Sequence, residues 1–196
     1  MGIDVTPQTR LFLEGYIASR KSDGILKWRG VAQQALFEYL DVDPHVRHIR
    51  AQVMSPDING MARQKFPALV YTFSGTYFAD LRPAGALPKA LSETCRAMQR
   101  AGLQLRLFDR DFLLDASVRA TVTRLRRSRR QVPSRQLLER LDAYPGEWPA
   151  TLAQLVSYLG TEGHVDQLII SCQLQADLSA GLGPDCLLSR NPKMGG

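Results

Sequence analysis

The chain predicts a mixed α+β (or α/β) fold: a mixed sheet flanked by helices, followed by a small, mostly helical segment with a short β tail. Three observations carry this. The apolar pattern alternates between helical and strand periods in the order helix, three strands, helix, strand, helix. Ser74-Gly75 separates two β-branched and aromatic runs, as in a hairpin. From Arg135 onward the pattern becomes helical and closes on two short apolar runs around Gly181-Leu-Gly-Pro184.

The elements follow in order. Val31 to Leu40 places Val31, Ala32, Ala35, Leu36, Tyr39 and Leu40 on one helical face, and Asp43-Pro44 stops it. Val46 to Val53 alternates as a first strand, with a turn signal at Asn59-Gly60. Leu69 to Phe73 and Thr76 to Leu81 are the hairpin strands. Leu87 to Ala101 forms a helix that Gly102 ends. Leu103 to Phe108 alternates as a strand, and Ala116 to Arg127 is a helix with Val118, Val122 and Leu125 inward and Arg119 and Arg126 outward. Ser128 to Ser134 reads as a basic linker. Gln136–Tyr144, Pro149–Leu159 and His164–Leu174 predict three helices, and Leu174–Leu178 with Cys186–Leu188 predict a pair of strands. That succession is a winged helix-turn-helix pattern. The expected division is 1–132, 133–190 and a frayed tail over 191–196.

At 196 residues, 44% apolar and 22% charged, the composition is that of a folded globular chain. No apolar run reaches the ~18 residues of a membrane span, and the N-terminal residues lack a secretion-signal layout. Cys95, Cys172 and Cys186 are odd in number and widely spaced, which favours buried free thiols of a cytoplasmic protein over a disulfide or zinc site. The net charge of +6 is concentrated between Arg96 and Arg140, where arginines heavily outnumber Asp109, Asp111, Asp115 and Glu139. Guanidinium groups fork onto phosphate oxygens, so a nucleic-acid partner is favoured.

Lys65 to Pro83 has the outline of a metal-dependent nuclease hairpin of the restriction-endonuclease type, with Pro67-Ala68 opening one strand and Asp80-Leu81-Arg82 closing the next. Together with Ile17-Ala-Ser-Arg-Lys21, Lys27-Trp-Arg-Gly-Val-Ala-Gln33, Leu40-Asp-Val-Asp-Pro-His-Val46 and Ala51-Gln52, it resembles the TnsA endonucleases, the subunits of heteromeric transposases that cut transposon 5′ ends. The resemblance runs from about Ile17 to Leu188. It implies a restriction-endonuclease-like domain with a C-terminal winged helix that meets an AAA+ ATPase or a transposase. It also implies that Gln33 stands at a helix Glu ligand, Ala68 at the central Asp ligand, and Arg82 at the Lys of the acid-x-Lys signature that keeps Asp80. Mg²⁺ requires hard, mostly anionic oxygen ligands, which Gln and Ala do not supply.

The expectation is therefore a catalytically degenerate, TnsA-like DNA-binding or scaffolding subunit with no cofactor. Double-stranded DNA would be held by Lys21, Arg82, Arg124, Arg126, Arg127, Arg129 and Arg130. A partner would dock on His164, Gln167 and Ser171, which project from the third C-terminal helix. One alternative is an active Mg²⁺-dependent endonuclease with ligands migrated to Asp57, Asp80 and Glu38. Another is a winged-helix DNA-binding regulator. His45 and His48 sit beside Pro44 with no third ligand in view and read as turn residues.

Overall fold

The structure, a computed structural model, describes residues 13–58 and 62–191. The turn signal at Asn59-Gly60 and residues 192–196 of the expected tail lie outside them. Strands β1 (Glu14–Ala18) and β2 (Ile25–Arg29) form an antiparallel hairpin, with Ile17, Leu26 and Trp28 turned inward. Gly15 lies flat against Trp28, where a Cβ would fall 2.3 Å from the indole, so only glycine fits. The sequence assigns no strands here, because each run is five residues long and has only one or two inward positions.

Helix α1 (Val31–Val42) follows Gly30, whose φ of 74° suits glycine. The spacing predicts one buried face, but every residue from Ala35 to Val42 is buried, including Glu38 and Asp41. The helix is enclosed by the sheet on one side and by α3 (Arg110–Leu114) and α4 (Ala116–Ser128) on the other. Strands β3 (Val46–Met54), β4 (Lys65–Thr72), β5 (Thr76–Leu81) and β6 (Gln104–Phe108) make a mixed sheet in that spatial order. β3, β4 and β5 pair antiparallel, whereas β6 joins parallel to β5 after the crossover helix α2 (Lys89–Arg100). One face packs Ala68, Val70, Tyr77 and Ala79 toward α1. The other packs Leu69 and Phe78 with Met98, Leu103 and Leu105.

The C-terminal segment comprises α5 (Arg135–Asp142), β7 (Ala150–Thr151), α6 (Leu152–Leu159), α7 (Glu162–Ile170), β8 (Leu174–Ala176), a short 3₁₀ turn (Leu178–Ala180) and β9 (Leu187–Arg190). Its strands form a small antiparallel sheet in the order β7-β9-β8. The predicted pairing of the last two strands is present, with β7 as a third member. The helix predicted from Pro149 begins at Leu152 instead. Thr151 and Gln154 exchange side-chain-to-backbone hydrogen bonds there, a capping box that fixes the start. The next helix stops at Ile170 rather than Leu174, because Cys172 takes a left-handed conformation, φ 61°, that ends the helical run.

One buried cluster runs through both parts of the chain, from Leu36 and Ile49 to Leu155 and Leu168. Hydrogen bonds cross as well: the Leu182 amide donates to Thr121 Oγ1 at 3.2 Å. Asn191, expected in the frayed tail, is only 1% exposed. Its amide donates to the Gln173 carbonyl at 3.0 Å and its Nδ2 to the Cys172 carbonyl at 2.9 Å. Among the described residues no helix is long and apolar enough to cross a membrane.

Candidate nucleic-acid interface

The positions that the nuclease hairpin singles out do not converge. Ala68 pairs directly with Ala79, and directly opposed residues project to the same face of a sheet. Side chains alternate along a strand, so Asp80 and Arg82 project to the face away from Ala68. Ala68 itself has no exposed surface and lies under α1. Asp80 accepts a hydrogen bond from the Leu81 amide at 2.7 Å, and burial raises its carboxyl above the ordinary value. Arg82 is exposed, and its backbone amide continues the ladder to the Phe108 carbonyl.

Gln33 approaches the hairpin from α1. Its Oε1 accepts the Arg29 amide at 2.6 Å, so the oxygen that would face a metal caps the start of the helix. Gln33 lines a shallow cavity of about 360 Å³ with Lys27, Arg29, Gln52, Lys65, Phe66 and Pro67. Among the described residues no carboxylate lines it. Lys65 donates to Gln52 Oε1 at 2.9 Å, while Glu14, opposite Arg29 on the same face of the hairpin, pairs with Arg29 at 2.6 Å and with Lys27 at 3.5 Å. The donor set is three cations and two neutral amides, which does not fit Mg²⁺.

The migrated ligand set fares no better. Both oxygens of Glu38 are taken, one by Arg126 and the other by Arg119 at 2.6 Å. Glu38 is buried inside the α1–α4 contact, whereas Asp57 is exposed just past the end of β3. Among the described residues no three acidic, His or Cys side chains form a group suited to a metal ion.

The arginine run divides in two. Arg124 holds Asp166 of α7 through two bonds of 3.0 and 2.8 Å and reaches Glu162 at 3.3 Å. Arg126 is spent on Glu38, and Arg129 faces Asp41 at 3.5 Å. The sequence places Arg126 outward; the structure turns it into the α1 contact. Arg127 and Arg130 are exposed and have no acidic partner among the described residues. Lys21, expected at the DNA surface, is only 7% exposed and donates to the Asp43 carbonyl at 2.5 Å. Burial holds its pKa below the usual lysine range.

His164, Gln167 and Ser171 are partly buried and already engaged: His164 Nδ1 meets the Leu159 carbonyl at 2.8 Å, Gln167 donates to Gln131 at 2.5 Å, and Ser171 donates to the Leu168 carbonyl at 3.2 Å. Cys172 is buried, while Cys95 and Cys186 are half-buried; all three are free thiols.

The cavity cations Lys27, Arg29 and Lys65 carry no sequence signature of their own. Lys27 and Arg29 lie on β2 and Lys65 opens β4, and only the tertiary fold gathers them. The buried acids did leave a signal: Glu38 and Asp41 fall within the otherwise apolar stretch Ala35 to Val42 of α1, and Arg119 and Arg126 recur seven apart on α4. Neither a protein-family model nor a curated protein matches the chain.

Proposed function

We propose that the chain is a non-cutting, DNA-binding scaffold subunit of a transposition complex, built on a TnsA-like, restriction-endonuclease-like core with a C-terminal winged helix. The observation that carries this reading is the cavity beside Pro67. Gln33, at one position that the resemblance makes a metal ligand, lines it with Lys27, Arg29 and Lys65, while Ala68, at the other, is buried under α1 and supplies no oxygen. Lys27 and Arg29 share the single carboxylate of Glu14, so with Lys65 the cleft keeps an excess of positive charge for phosphates, and its lining offers a divalent ion no anionic oxygen. Arg82 and Arg127 are further exposed cations.

The order helix, strand, helix, helix, strand, strand and the β7-β9-β8 pairing support a winged-helix assignment for residues 133–190. Helix α7, which would read bases in such a domain, is instead packed on α4 through Asp166 and Arg124. That placement favours a protein-docking role over an operator-reading regulator. The partner class is an AAA+ ATPase or transposase of the same element, with the complex working in the cytoplasm.

The test is duplex binding as a function of salt together with a nicking assay in Mg²⁺ and Mn²⁺. Lys27→Ala, Arg29→Ala and Lys65→Ala each lower the log–log salt slope, by about 0.9 for every phosphate left without its cation, and no nicking occurs. Binding that ignores all three substitutions, or cleavage by the unmodified chain, rejects the reading.

A further inference from the structure

A second basic cavity, of about 460 Å³, lies on another side of the molecule, between the end of β1, the start of β3, the α4–α5 connection and the end of α7. Its size falls within the usual range of small-molecule sites, about 300–1,000 Å³. Three exposed arginines, Arg20, Arg47 and Arg130, stand at its rim. None of them has an acidic partner among the described residues. Asp41, the one acid among the described residues of the lining, is already held by the Ser19 hydroxyl at 2.5 Å and by Arg129 at 3.5 Å. The rim therefore presents uncompensated positive charge.

The interior is different in character. Phe73, Val132, Pro133 and Ile170 supply apolar surface, and the Arg47 guanidinium lies over the Phe73 ring, 5.1 Å from its centroid. Behind them the buried Lys21 and Cys172 close the wall. Guanidinium forks at the mouth suit phosphate oxygens, and a stacked Arg–Phe pair beside a proline suits a flat ring.

We propose that this cavity binds a nucleotide 5′-monophosphate, with the phosphate on Arg20, Arg47 and Arg130 and the base against Phe73 and Pro133. The same chemistry is offered by a free nucleotide and by the 5′-phosphorylated terminal nucleotide of a DNA strand. The site is distinct from the Pro67 cleft and does not depend on duplex binding there.

The experiment is calorimetric titration of the full chain with thymidine 5′-monophosphate, thymidine and inorganic phosphate. The monophosphate binds at least tenfold more tightly than either fragment. Arg20→Ala and Arg47→Ala each weaken it tenfold or more, and Phe73→Leu weakens the nucleotide without weakening phosphate. Both arginines are exposed, so unfolding midpoints stay at the parent value; if one variant misfolds, the other decides. Inorganic phosphate binding as tightly as the nucleotide, or nucleotide binding unchanged in the arginine variants, overturns the proposal. Single-stranded oligonucleotides with and without a 5′-phosphate then separate the sources: a phosphate-dependent gain supports a strand end, and binding of thymidine monophosphate alone supports a free nucleotide. Lys27→Ala and Lys65→Ala leave nucleotide binding intact while weakening closed circular duplex, which separates failure of this site from failure of the cleft.

Discussion

Arg124 of α4 grips Asp166 of α7 through its Nε and Nη2, which donate to the two carboxylate oxygens at 3.0 and 2.8 Å, with the carboxylate side chain only 6% exposed. This pair joins the basic helix to the C-terminal segment and converts a residue that the sequence offers to DNA into an internal tie. Truncating one partner of a buried pair strands the other charge. Arg124→Ala is expected to cost about 3–5 kcal/mol in urea unfolding, whereas Arg127→Ala, at an exposed position without an acidic partner among the described residues, stays within about 0.5 kcal/mol.

Glu38 plays the equivalent part between α1 and α4. It takes Arg119 and Arg126 on its two oxygens, and Arg119 Nη1 and Arg126 Nε are already buried without further partners among the described residues. Glu38→Ala therefore leaves two guanidiniums facing a buried gap, at an expected cost of about 3 kcal/mol or more. The same geometry predicts that Mn²⁺ titration shows equal heats for the parent chain and for a Glu38→Gln variant that keeps the fold. A saturating metal signal abolished by that substitution would instead place Glu38 in a metal site.

Rebuilding the nuclease signature by sequence position fails for a reason of register. Gln33→Glu, Ala68→Asp and Arg82→Lys together place the new Asp under α1, on the face opposite Asp80. The triple variant is expected to give no nicking in Mg²⁺ or Mn²⁺. Ala68→Asp alone destabilises by about 3 kcal/mol or more, since it buries an unpaired carboxylate. Plasmid nicking and thermal unfolding read the two outcomes.

Asp80 provides a pH test. Burial raises its carboxyl, and the Leu81 amide only partly opposes that. The folded chain therefore holds this proton more tightly than the unfolded chain. Its contribution to stability is full below the ordinary aspartate value of about 3.9 and is lost as pH rises through the higher folded value. Asp80→Asn is expected to raise the unfolding midpoint at pH 7 and to change it little at pH 3. An equal effect at both pH values rejects the assignment.

The order of the sheet elements and the apolar face of α4 were legible in the sequence, because each follows from periodicity within a dozen residues. The hairpin at Ser74-Gly75 was legible for the same reason: Tyr71 pairs with Thr76 across it. The β1–β2 hairpin was not, since its five-residue strands give too few alternations to register. The basic run around Arg124 was visible as charge, but its pairing was not, because Arg124 lies 42 residues from Asp166 in sequence, and Arg126 and Arg129 lie 88 from Glu38 and Asp41 respectively.

The sequence by itself determined that helices and strands alternate and that positive charge gathers near α4. Only the tertiary structure decided which arginines keep that charge for a ligand, and to which face Asp80 turns. Local periodicity sets the sides of an element. Hairpin register and the packing of distant helices set what each side meets, and a shift of one residue or the approach of one carboxylate reverses the outcome.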